Sequence, residues 1–406
     1  MKKRILFIAP YCIPVNNPEA ICNAKLLKVL SDAGHTIDVI CKNSTRFVQP
    51  DTLDEFFTNN LTSLKICRVE DKITLKTIID HLRVLFKTGY VYKGTHWVIY
   101  AISEGEKLIK KNTYDVIMSR APLGELAALY LSKKHKIKWV NNWNDPYPWK
   151  CFPKPYGSGI KAKLRKIEKR LFEDIAKNAS IQTFPSQRLC DYMVQYMNIP
   201  KEKTLVVPHI CVDGMFDFNE EVCSHSGLRI IHAGNASFPR SPYTLLEGLQ
   251  KFKKNNPEAE FEVAFIGKQD TNFHELVDKF KLENHITVLP PSDYLSNLKL
   301  MSEYDLALLI EANLEEGIFL PTKLGDYMQS CLPVWAISPQ KGVLNDLYIS
   351  NKISYFSNVA HVDSIADEMS LIYEDFVKSK GVLPRQKIIE EYSSSTVLDL
   401  YTNYVL

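Results

Sequence analysis

The chain has 406 residues, of which 45% are hydrophobic and 24% are charged, and its formal net charge is +3. At roughly 150 residues per domain, this length predicts two or three domains that each bury a core. The composition excludes a collagen, a disordered tail protein and a disulfide-stapled miniprotein. Apolar runs such as residues 5–10 and 306–310 are far shorter than the roughly 20 residues of a membrane-spanning helix. We therefore expect a chain that does not cross a bilayer.

The N-terminal residues and the cysteines both favour a cytoplasmic location. Three basic residues precede an apolar stretch, but that stretch ends at Pro10, too early for a signal peptide. The nine cysteines are odd in number and scattered. The sequence contains no CxxC pair, so it predicts neither a zinc ribbon nor a thioredoxin-type site. We expect reduced thiols and no bound metal or other cofactor.

Charge is divided unevenly along the chain. Residues 1–210 hold 34 lysines and arginines against 19 aspartates and glutamates, whereas residues 211–406 hold 16 against 28. Opposite signs in the two halves favour two domains with different neighbours. The basic half carries no helix-turn-helix, zinc-finger or RRM signature, so nucleic acid is not an expected partner.

Short apolar segments alternate with longer amphipathic ones throughout the chain. In the first half they predict a strand at Arg4–Ala9, a helix at Ala20–Ala33 that Gly34 ends, and strands at Thr36–Cys41, Val116–Ser119 and Trp139–Asn142. In the second half they predict strands at Leu228–Ala233, Glu262–Ile266, Ile286–Leu289, Leu306–Ile310 and Pro333–Ile337, with helices at Thr244–Asn255, Asn272–Phe280 and Lys323–Cys331. Buried strands separated by helices indicate parallel sheets built from βαβ units.

Because the βαβ pattern occurs twice, the sequence predicts an α/β protein with two Rossmann-like domains facing a cleft. The segment near 209–227 lacks periodicity and is acidic, as a linker would be. We predict a first domain at 1–209, a linker at 210–227, a second domain at 228–385 and a closing helix at 386–406. Parallel sheets bind ligands beyond the carboxyl ends of their strands, so the loops there are the candidate site.

The first loop of the second half has features of an anion site. The strand before it ends in Gly234, where a missing side chain lets backbone N–H groups approach an anion. Ser241 and Pro242 predict a helix start, with serine as the N-cap and proline as the first helical residue. Arg240 precedes this start and could grip a phosphate with paired donors. The alternative is a surface arginine beside an ordinary βα turn.

A second candidate stretch covers residues 315–336. Pro321 and Thr322 predict a helix start, and Lys323 and Asp326 then share one helix face. Lys323 could neutralise a diphosphate, and Asp326 could accept hydrogen bonds from a ribose diol. The alternative is a solvated i,i+3 salt bridge. Likewise, Glu311, Glu315 and Glu316 could include an acid–base pair, or they could form a solvated acidic loop.

Taken together, the motifs resemble those of the GT-B glycosyltransferases, specifically the large retaining family-four group. The motifs that carry the resemblance are Gly34–Val39, which is similar to the family pattern GHxVxV; Ser119–Pro122, similar to S-x-x-P; NNWNDPYPW at 141–149, similar to an RDPW signature; the loop Gly234–Arg240; and PTKLGDYM at 321–328, similar to P-S-K-x-x-E-Y. The resemblance spans essentially the whole chain.

This resemblance implies a GT-B fold and a retaining transfer of hexosyltransferase type without a metal ion. The donor would be a UDP-, GDP- or dTDP-sugar bound to the second domain. The acceptor would be a carbohydrate or a lipid-linked sugar bound to the first, in surface polysaccharide or glycolipid synthesis. The residues implied are Arg240 and Lys323 in catalysis; Gly234, Asn235, Gly267, Glu316, Thr322 and Asp326 in donor binding; and Asn16, Arg120 and Asp145 on the acceptor side.

Two departures from the family pattern leave other functions open. The common acidic motif has two glutamates; here the second position is Asp326 and the first is Ile318, with Glu316 two positions away. The glycine pair often found in the first loop is replaced by residues 14–17. The alternatives are a non-hydrolysing sugar-nucleotide 2-epimerase and a degenerate, non-catalytic partner subunit.

The basic first half also predicts peripheral binding to an anionic membrane on its cytoplasmic face. Residues 161–170 should form a helix rich in lysine and arginine, and residues 82–97 interleave basic with aromatic side chains. The alternative is a solvated surface that keeps the protein soluble.

Overall fold

The computed structural model describes residues 2–15, 17–44, 52–69, 72–216 and 227–406. The described chain divides into two compact units. The first comprises Met1–Phe152, Ile160–Val212 and Glu391–Leu406, and the second comprises Pro153–Gly159 and Asp213–Glu390. The predicted boundaries differ from this division, because the segment Pro153–Gly159 joins the second unit and the last residues join the first. Most of the predicted linker, residues 217–226, lies outside the described residues.

The first unit is built on a seven-stranded parallel sheet. Its strands are β1 Arg4–Ala9, β2 Thr36–Ser44, β3 Ser63–Val69, β4 Val116–Arg120, β5 Lys138–Asn142, β6 Ile181–Phe184 and β7 Thr204–Val206, in the order β3-β2-β1-β4-β5-β6-β7. Its helices are α1 Pro18–Asp32, α2 Asp54–Thr58, α3 Leu75–Thr88, α4 Val98–Lys111, α5 Gly124–His135, α6 Lys166–Asn178 and α7 Gln187–Met197.

The second unit repeats this plan with six parallel strands. These are β8 Leu228–Ala233, β9 Phe261–Ile266, β10 Ile286–Leu289, β11 Leu306–Ile310, β12 Val334–Ser338 and β13 Tyr355–Asn358, in the order β10-β9-β8-β11-β12-β13. Its helices are α8 Tyr243–Asn255, α9 Phe273–Lys279, α10 Tyr294–Ser302, α11 Thr322–Gln329, α12 Val343–Ile349 and α13 Val362–Lys378. One buried apolar cluster joins this sheet to α8, α9 and α13. The predicted pair of parallel, Rossmann-like sheets is therefore confirmed.

The C-terminal segment differs from the predicted single helix at 386–406. It contains a 3-10 turn at Glu390–Tyr392, helix α14 at Ser394–Leu400 and a final π-helical turn at Tyr401–Val405. The helix begins late because the backbone before it is extended, with Ser393 in a parallel bridge to Cys211. Ser393 also caps α14 by accepting a hydrogen bond from the N–H of Thr396.

Four strands have the predicted bounds: β1, β8 and β11, which are central, and β10, which lies at a sheet edge. The sequence reasoning missed β3, β6, β7 and β13, and three of these lie at sheet edges. Edge strands are covered on fewer sides, so their sequences mix polar and apolar residues and lack a continuous apolar run. Among the described residues, every helix is too short or too polar to cross a membrane.

Helix α8 packs closely on α13 at Gly248. A Cβ atom added there would lie 2.5 Å from Cγ2 and 2.8 Å from Cβ of Ile365. We expect Gly248→Ala to lower the free energy of unfolding of the second unit by about 1–2 kcal/mol, since this overlap outweighs the helix propensity gained by replacing glycine. Urea unfolding of the full chain measures the change.

Gly105 on α4 provides the matched control. A Cβ atom there would meet mainly a methyl group of Leu131, 2.5 Å away, at the end of a side chain that can rotate. Gly105→Ala should therefore leave the unfolding midpoint nearly unchanged. Equal stability of both variants would contradict the packing argument.

Candidate functional site

Two glycines bring the loops after β8 and β9 into backbone contact. Gly234 follows β8 with a φ of +149°, and Gly267 follows β9 with a φ of +124°. A Cβ atom on Gly267 would lie 2.8 Å from the carbonyl carbon of Gly234. The N–H of Gly234 donates to the carbonyl oxygen of Ile266 at 2.6 Å. A side chain at Gly267 would therefore force the two loops apart.

Lys323 lies directly against Gly234. A Cβ atom on Gly234 would lie 1.5 Å from Nζ of Lys323. Lys323 is the second residue of α11, which begins directly after Pro321 as predicted. Burial and the positive charge of Arg240 lower its pKa to about 7, while the carboxylate of Asp326 acts in the opposite direction. The structure thus places a lysine, whose ammonium form its surroundings disfavour, at the carboxyl edge of the second sheet.

Arg240 lies in the exposed turn before α8. Its Nε donates to the hydroxyl of Tyr156 at 3.1 Å, and the Tyr156 ring packs edge-on against that of Phe319. The predicted helix start is wrong by one residue. Helix α8 begins at Tyr243, and Ser241 accepts a hydrogen bond from the Tyr243 N–H at 3.3 Å.

Asp326 lies one helical turn after Lys323 and is half-buried. The hydroxyl of Tyr294 donates to its Oδ1, which fixes the orientation of the carboxylate. Thr322, the first residue of α11, is also half-buried. Both residues therefore lie on the helix that carries Lys323.

The loop before α11 is fixed by backbone hydrogen bonds to the segment before α12. The N–H of Gly317 donates to the carbonyl oxygen of Lys341, and the Val343 N–H donates to that of Gly317, both at 2.8 Å. Glu316 forms an ion pair with Lys341 at 2.5 Å. Ile318, at the position of the family's first glutamate, is only 1% exposed. The position therefore holds a core side chain.

Glu311 corrects the prediction of a solvated acidic loop. It follows β11 and is buried, and the hydroxyl of Ser338 donates to its Oε2 at 2.5 Å. Burial raises the pKa of Glu311 to about 7, although the Ser338 hydrogen bond and the charge of Arg240 favour the carboxylate. By contrast, Glu315 is exposed.

Tyr327 ties α11 to the sheet. Its hydroxyl accepts from the N–H of Ala233 at 3.1 Å and donates to the carbonyl oxygen of Leu308 at 2.9 Å. Nδ1 of the buried His232 contacts the same carbonyl oxygen at 2.9 Å. Burial and the charge of Lys323 lower the pKa of His232 to about 3, so this imidazole is neutral and adds no charge to the site.

In the first unit, Arg120 ends β4 within a polar network. Its Nε donates to Asn23 at 2.7 Å, its Nη1 donates to Asn144 at 2.8 Å, and it forms an ion pair with Glu19 at 3.4 Å. The guanidinium faces a pocket at the carboxyl edge of the first sheet. The other lining residues are Cys22, Leu26, Trp143, Asn144, Thr183, Phe184, Pro185, Val207, Pro208, His209, Ile210 and Tyr401.

Three other residues were predicted from the sequence to belong to the site: Asp145, Asn235 and Asn16. Asp145 is exposed beside Asn144. Asn235 is exposed, and its side-chain oxygen accepts from the N–H of Lys268 at 3.1 Å. Asn16 lies outside the described residues. Within the described part of the chain, no group of three or more histidine, cysteine, aspartate or glutamate residues could hold a metal ion.

Three tyrosines at these loops were not singled out from the sequence: Tyr156, Tyr294 and Tyr327. Tyr156 and Tyr294 are far in sequence from the residues they bind, and no local pattern identifies such a pairing. Tyr327 follows Asp326 within the PTKLGDYM motif. Its position in that motif could have identified it as a site residue.

Comparison with known proteins supports the resemblance found in the sequence. The family model described as Glycosyltransferase Family 4 matches residues 21–210. The structure of HepE from Anabaena in complex with UDP and glucose matches at 12% identity over 98% of both chains, with a TM-score of 0.69. The apo form of the lipopolysaccharide outer core galactosyltransferase WaaB matches at 12% identity over 98% of both chains, with a TM-score of 0.60. No curated protein sequence matches.

A solved structure with a different described activity also shares this fold. A putative UDP-N-acetylglucosamine 2-epimerase from Listeria monocytogenes matches at 9% identity, over 99% of this chain and 97% of that one, with a TM-score of 0.54. At these identities the likeness to solved structures shows the fold. The GT-B fold and the resemblance to family-four glycosyltransferases are therefore confirmed.

The charges around Lys323 predict how its protonation responds to substitution. We expect NMR titration of the isotope-labelled full chain to show a lysine with a pKa of about 7. Arg240→Ala should raise this pKa because it removes a repelling charge, and Asp326→Asn should lower it because it removes an attracting one.

Lys323→Ala identifies the signal, since it must abolish the titration. An unchanged pKa in both neighbouring variants would contradict the proposed charge arrangement.

Proposed function

We propose that this protein is a glycosyltransferase that moves a sugar from a nucleotide-diphosphate sugar to a carbohydrate or lipid-linked acceptor. The observation that carries the proposal is the contact between Lys323 and Gly234 at the carboxyl edge of the second sheet. Arg240 lies close enough for its charge to lower the pKa of Lys323. Two basic side chains therefore lie near the same loop. A diphosphate is the dianionic group that such a pair would bind.

In this proposal, the second unit binds the donor. Lys323 and Arg240 hold the diphosphate, and the absence of side chains at Gly234 and Gly267 lets it approach the backbone. Asp326, oriented by Tyr294, accepts hydrogen bonds from the ribose. Asn235, Glu316 and Thr322 complete the proposed donor site. The solved HepE complexes contain UDP, glucose and UDP-glucose, which supports a donor of this chemical class.

The first unit binds the acceptor in this proposal. The pocket at Arg120 lies at the carboxyl edge of its sheet, where parallel sheets bind ligands. Asp145 and Asn16 are the other proposed acceptor-side residues. The family-model match covers most of this unit. The likeness to WaaB supports a product in surface polysaccharide or glycolipid synthesis. The described cysteines are thiols and not disulfides, which supports a proposed cytoplasmic location.

The proposed chemistry is transfer with retention of configuration. The bond between the anomeric carbon and the phosphate oxygen breaks as the acceptor oxygen bonds to the same face of that carbon. The acceptor's proton passes to the leaving phosphate, so the products are the glycosylated acceptor and a nucleoside diphosphate. Negative charge grows on the phosphate in the transition state, where Lys323 and Arg240 would stabilise it. These cations would replace a metal ion.

Two other functions have specific support. The putative UDP-N-acetylglucosamine 2-epimerase from Listeria monocytogenes shares the fold, which supports a sugar-nucleotide 2-epimerase. The buried Ile318, at the position of a family glutamate, supports a partner subunit without activity. The family-model match favours the transferase over the epimerase.

The deciding experiment identifies the donor and then determines which product receives its sugar. A thermal-shift screen of UDP-, GDP- and dTDP-sugars identifies the donor, since a ligand at 100 times its Kd stabilises a fold by about 2.7 kcal/mol. That donor is then incubated with carbohydrate and lipid-linked acceptors, and without any acceptor. We expect the sugar to appear on an acceptor, with its anomeric configuration retained.

Each other product has a definite meaning. An isomerised nucleotide sugar formed without acceptor would contradict the transferase and establish the epimerase. Donor binding without either product would favour the partner subunit. Inverted configuration would leave the transferase intact and refute the proposed chemistry.

The two cations predict a kinetic pattern. Lys323→Ala and Arg240→Ala should each lower kcat/KM by about 100- to 1000-fold, since each removes a charge that stabilises the leaving phosphate. Tyr156→Phe should have a smaller effect, because it keeps Arg240 and removes only one hydrogen bond. Lys299→Ala, at an exposed position of α10, is the control and should resemble the unaltered chain.

These assays contain excess EDTA. Loss of turnover in EDTA that magnesium or manganese restores would contradict the proposal that the cations replace a metal ion. Near-normal kinetics for Lys323→Ala would show that this lysine has a structural role.

A further inference from the structure

Helix α3 carries an exposed stripe of large apolar side chains. Leu75 is 75% exposed and Phe86 is 88% exposed. Ile78, Ile79 and Leu82 between them are also exposed, and Ile73 lies just before the helix. At 3.6 residues per turn, the five helical residues fall within about a third of the circumference. They therefore form one continuous face, named here the apolar stripe.

The opposite face of α3 fixes the helix to the first unit. Thr77, Asp80 and Val84 are buried, and they lie on the side of the helix away from the apolar stripe. The hydroxyl of Tyr100 donates to Asp80 at 2.6 Å. The helix is thus attached through one face and presents apolar side chains on the other.

Basic residues follow one edge of the apolar stripe. Lys76, Arg83 and Lys87 are all exposed, and by helical geometry they lie roughly 100° around the helix from its centre. Arg83 also forms an ion pair with Asp80 at 3.3 Å. An apolar face flanked by cations is the pattern of a helix that lies in the surface of an anionic membrane.

A lysine-lined pocket continues this surface at the end of α3. Its residues are Lys87, Thr88, Leu129, Tyr130, Lys133, Lys134 and Asp174. The ammonium groups of Lys87 and Lys134 lie 5.0 and 5.5 Å from the centre of the Tyr130 ring. Asp174 accepts from Tyr90 at 2.5 Å, and Lys134 pairs with Glu106 at 2.6 Å. Three lysines therefore face a pocket with one carboxylate of its own.

The structure places this surface differently from the sequence prediction. Tyr90 and Trp97, expected to be interfacial aromatics, are buried in the core. The predicted basic helix at 161–170 begins only at Lys166, and Arg165 and Lys150 pair with Glu168. The prediction was thus wrong for these aromatics and for the start of that helix.

We propose that the apolar stripe of α3 and the adjoining lysine pocket form one docking surface for an anionic lipid bilayer. The stripe enters the boundary between headgroups and acyl chains, and the pocket receives the phosphate of an anionic headgroup. The combination of apolar and basic side chains selects this occupant, because a second copy would bring the same positive charge against the surface. The inference does not depend on the proposed transferase activity.

The test is co-sedimentation of the full chain with lipid vesicles. One set contains phosphatidylcholine alone, and the other contains phosphatidylcholine mixed with phosphatidylglycerol. We expect binding to the mixed vesicles that weakens at high salt, since salt screens surface charges. Lys133→Glu with Lys134→Glu should lower the partition coefficient by about tenfold or more. Leu82→Glu with Phe86→Glu should abolish binding.

Val377→Glu is the matched control. Val377 is an apolar residue, 58% exposed, on α13 of the second unit, and its substitution should leave binding unchanged. Circular dichroism and thermal melting establish that each variant is folded. Because the substituted side chains are exposed, unfolding is not expected.

Three results would overturn the proposal. The first is equal recovery with neutral and anionic vesicles. The second is no recovery with either. The third is absent vesicle binding together with a dimer in analytical ultracentrifugation, where the double variant Leu82→Glu with Phe86→Glu is monomeric. The apolar stripe would then be an interface between copies of the chain.

Discussion

The close approach of Lys323 to Gly234 is the constraint on which the candidate site depends. The lysine can occupy this position only because Gly234 has no side chain. Gly267 in turn leaves room for the backbone of Gly234. Tyr327 fixes the helix that carries the lysine to the last residue of β8 and to the middle of β11 through two hydrogen bonds. The position of one ammonium group is therefore determined by three strands and one helix.

This arrangement is electrostatically unfavourable for an isolated protein. Burial and the charge of Arg240 both disfavour the ammonium form of Lys323. Natural proteins keep such strained charge arrangements mainly at functional sites, where a ligand of opposite sign relieves them. A group with two negative charges would restore the lysine to its ordinary protonation. Under the proposed function, the diphosphate of the donor would be that group.

The sequence was sufficient for the central strands and for the loops that follow them. The bounds of β8 and β11 agree because buried parallel strands are continuous apolar runs. The contact between Lys323 and Gly234 was beyond reach, because it joins the loop after β8 to the first turn of α11, far along the chain. Tyr156 was missed for a related reason, since it lies in the first half of the chain and binds Arg240. Glu311 was predicted to lie in a solvated loop because it is charged. It is buried because it directly follows a central strand.

The division of the chain has a consequence for how the protein can form during synthesis. The backbone passes between the units at residues 152/153, 159/160, 212/213 and 390/391. The hydroxyl of Tyr401 donates to Asn142 at the end of β5, so the first unit is completed only by residues translated after the whole second unit. An emerging chain can form the sheet of the first unit early. The pocket beside Arg120 is completed later, because its lining residue Tyr401 is added only when translation reaches the last helical turns.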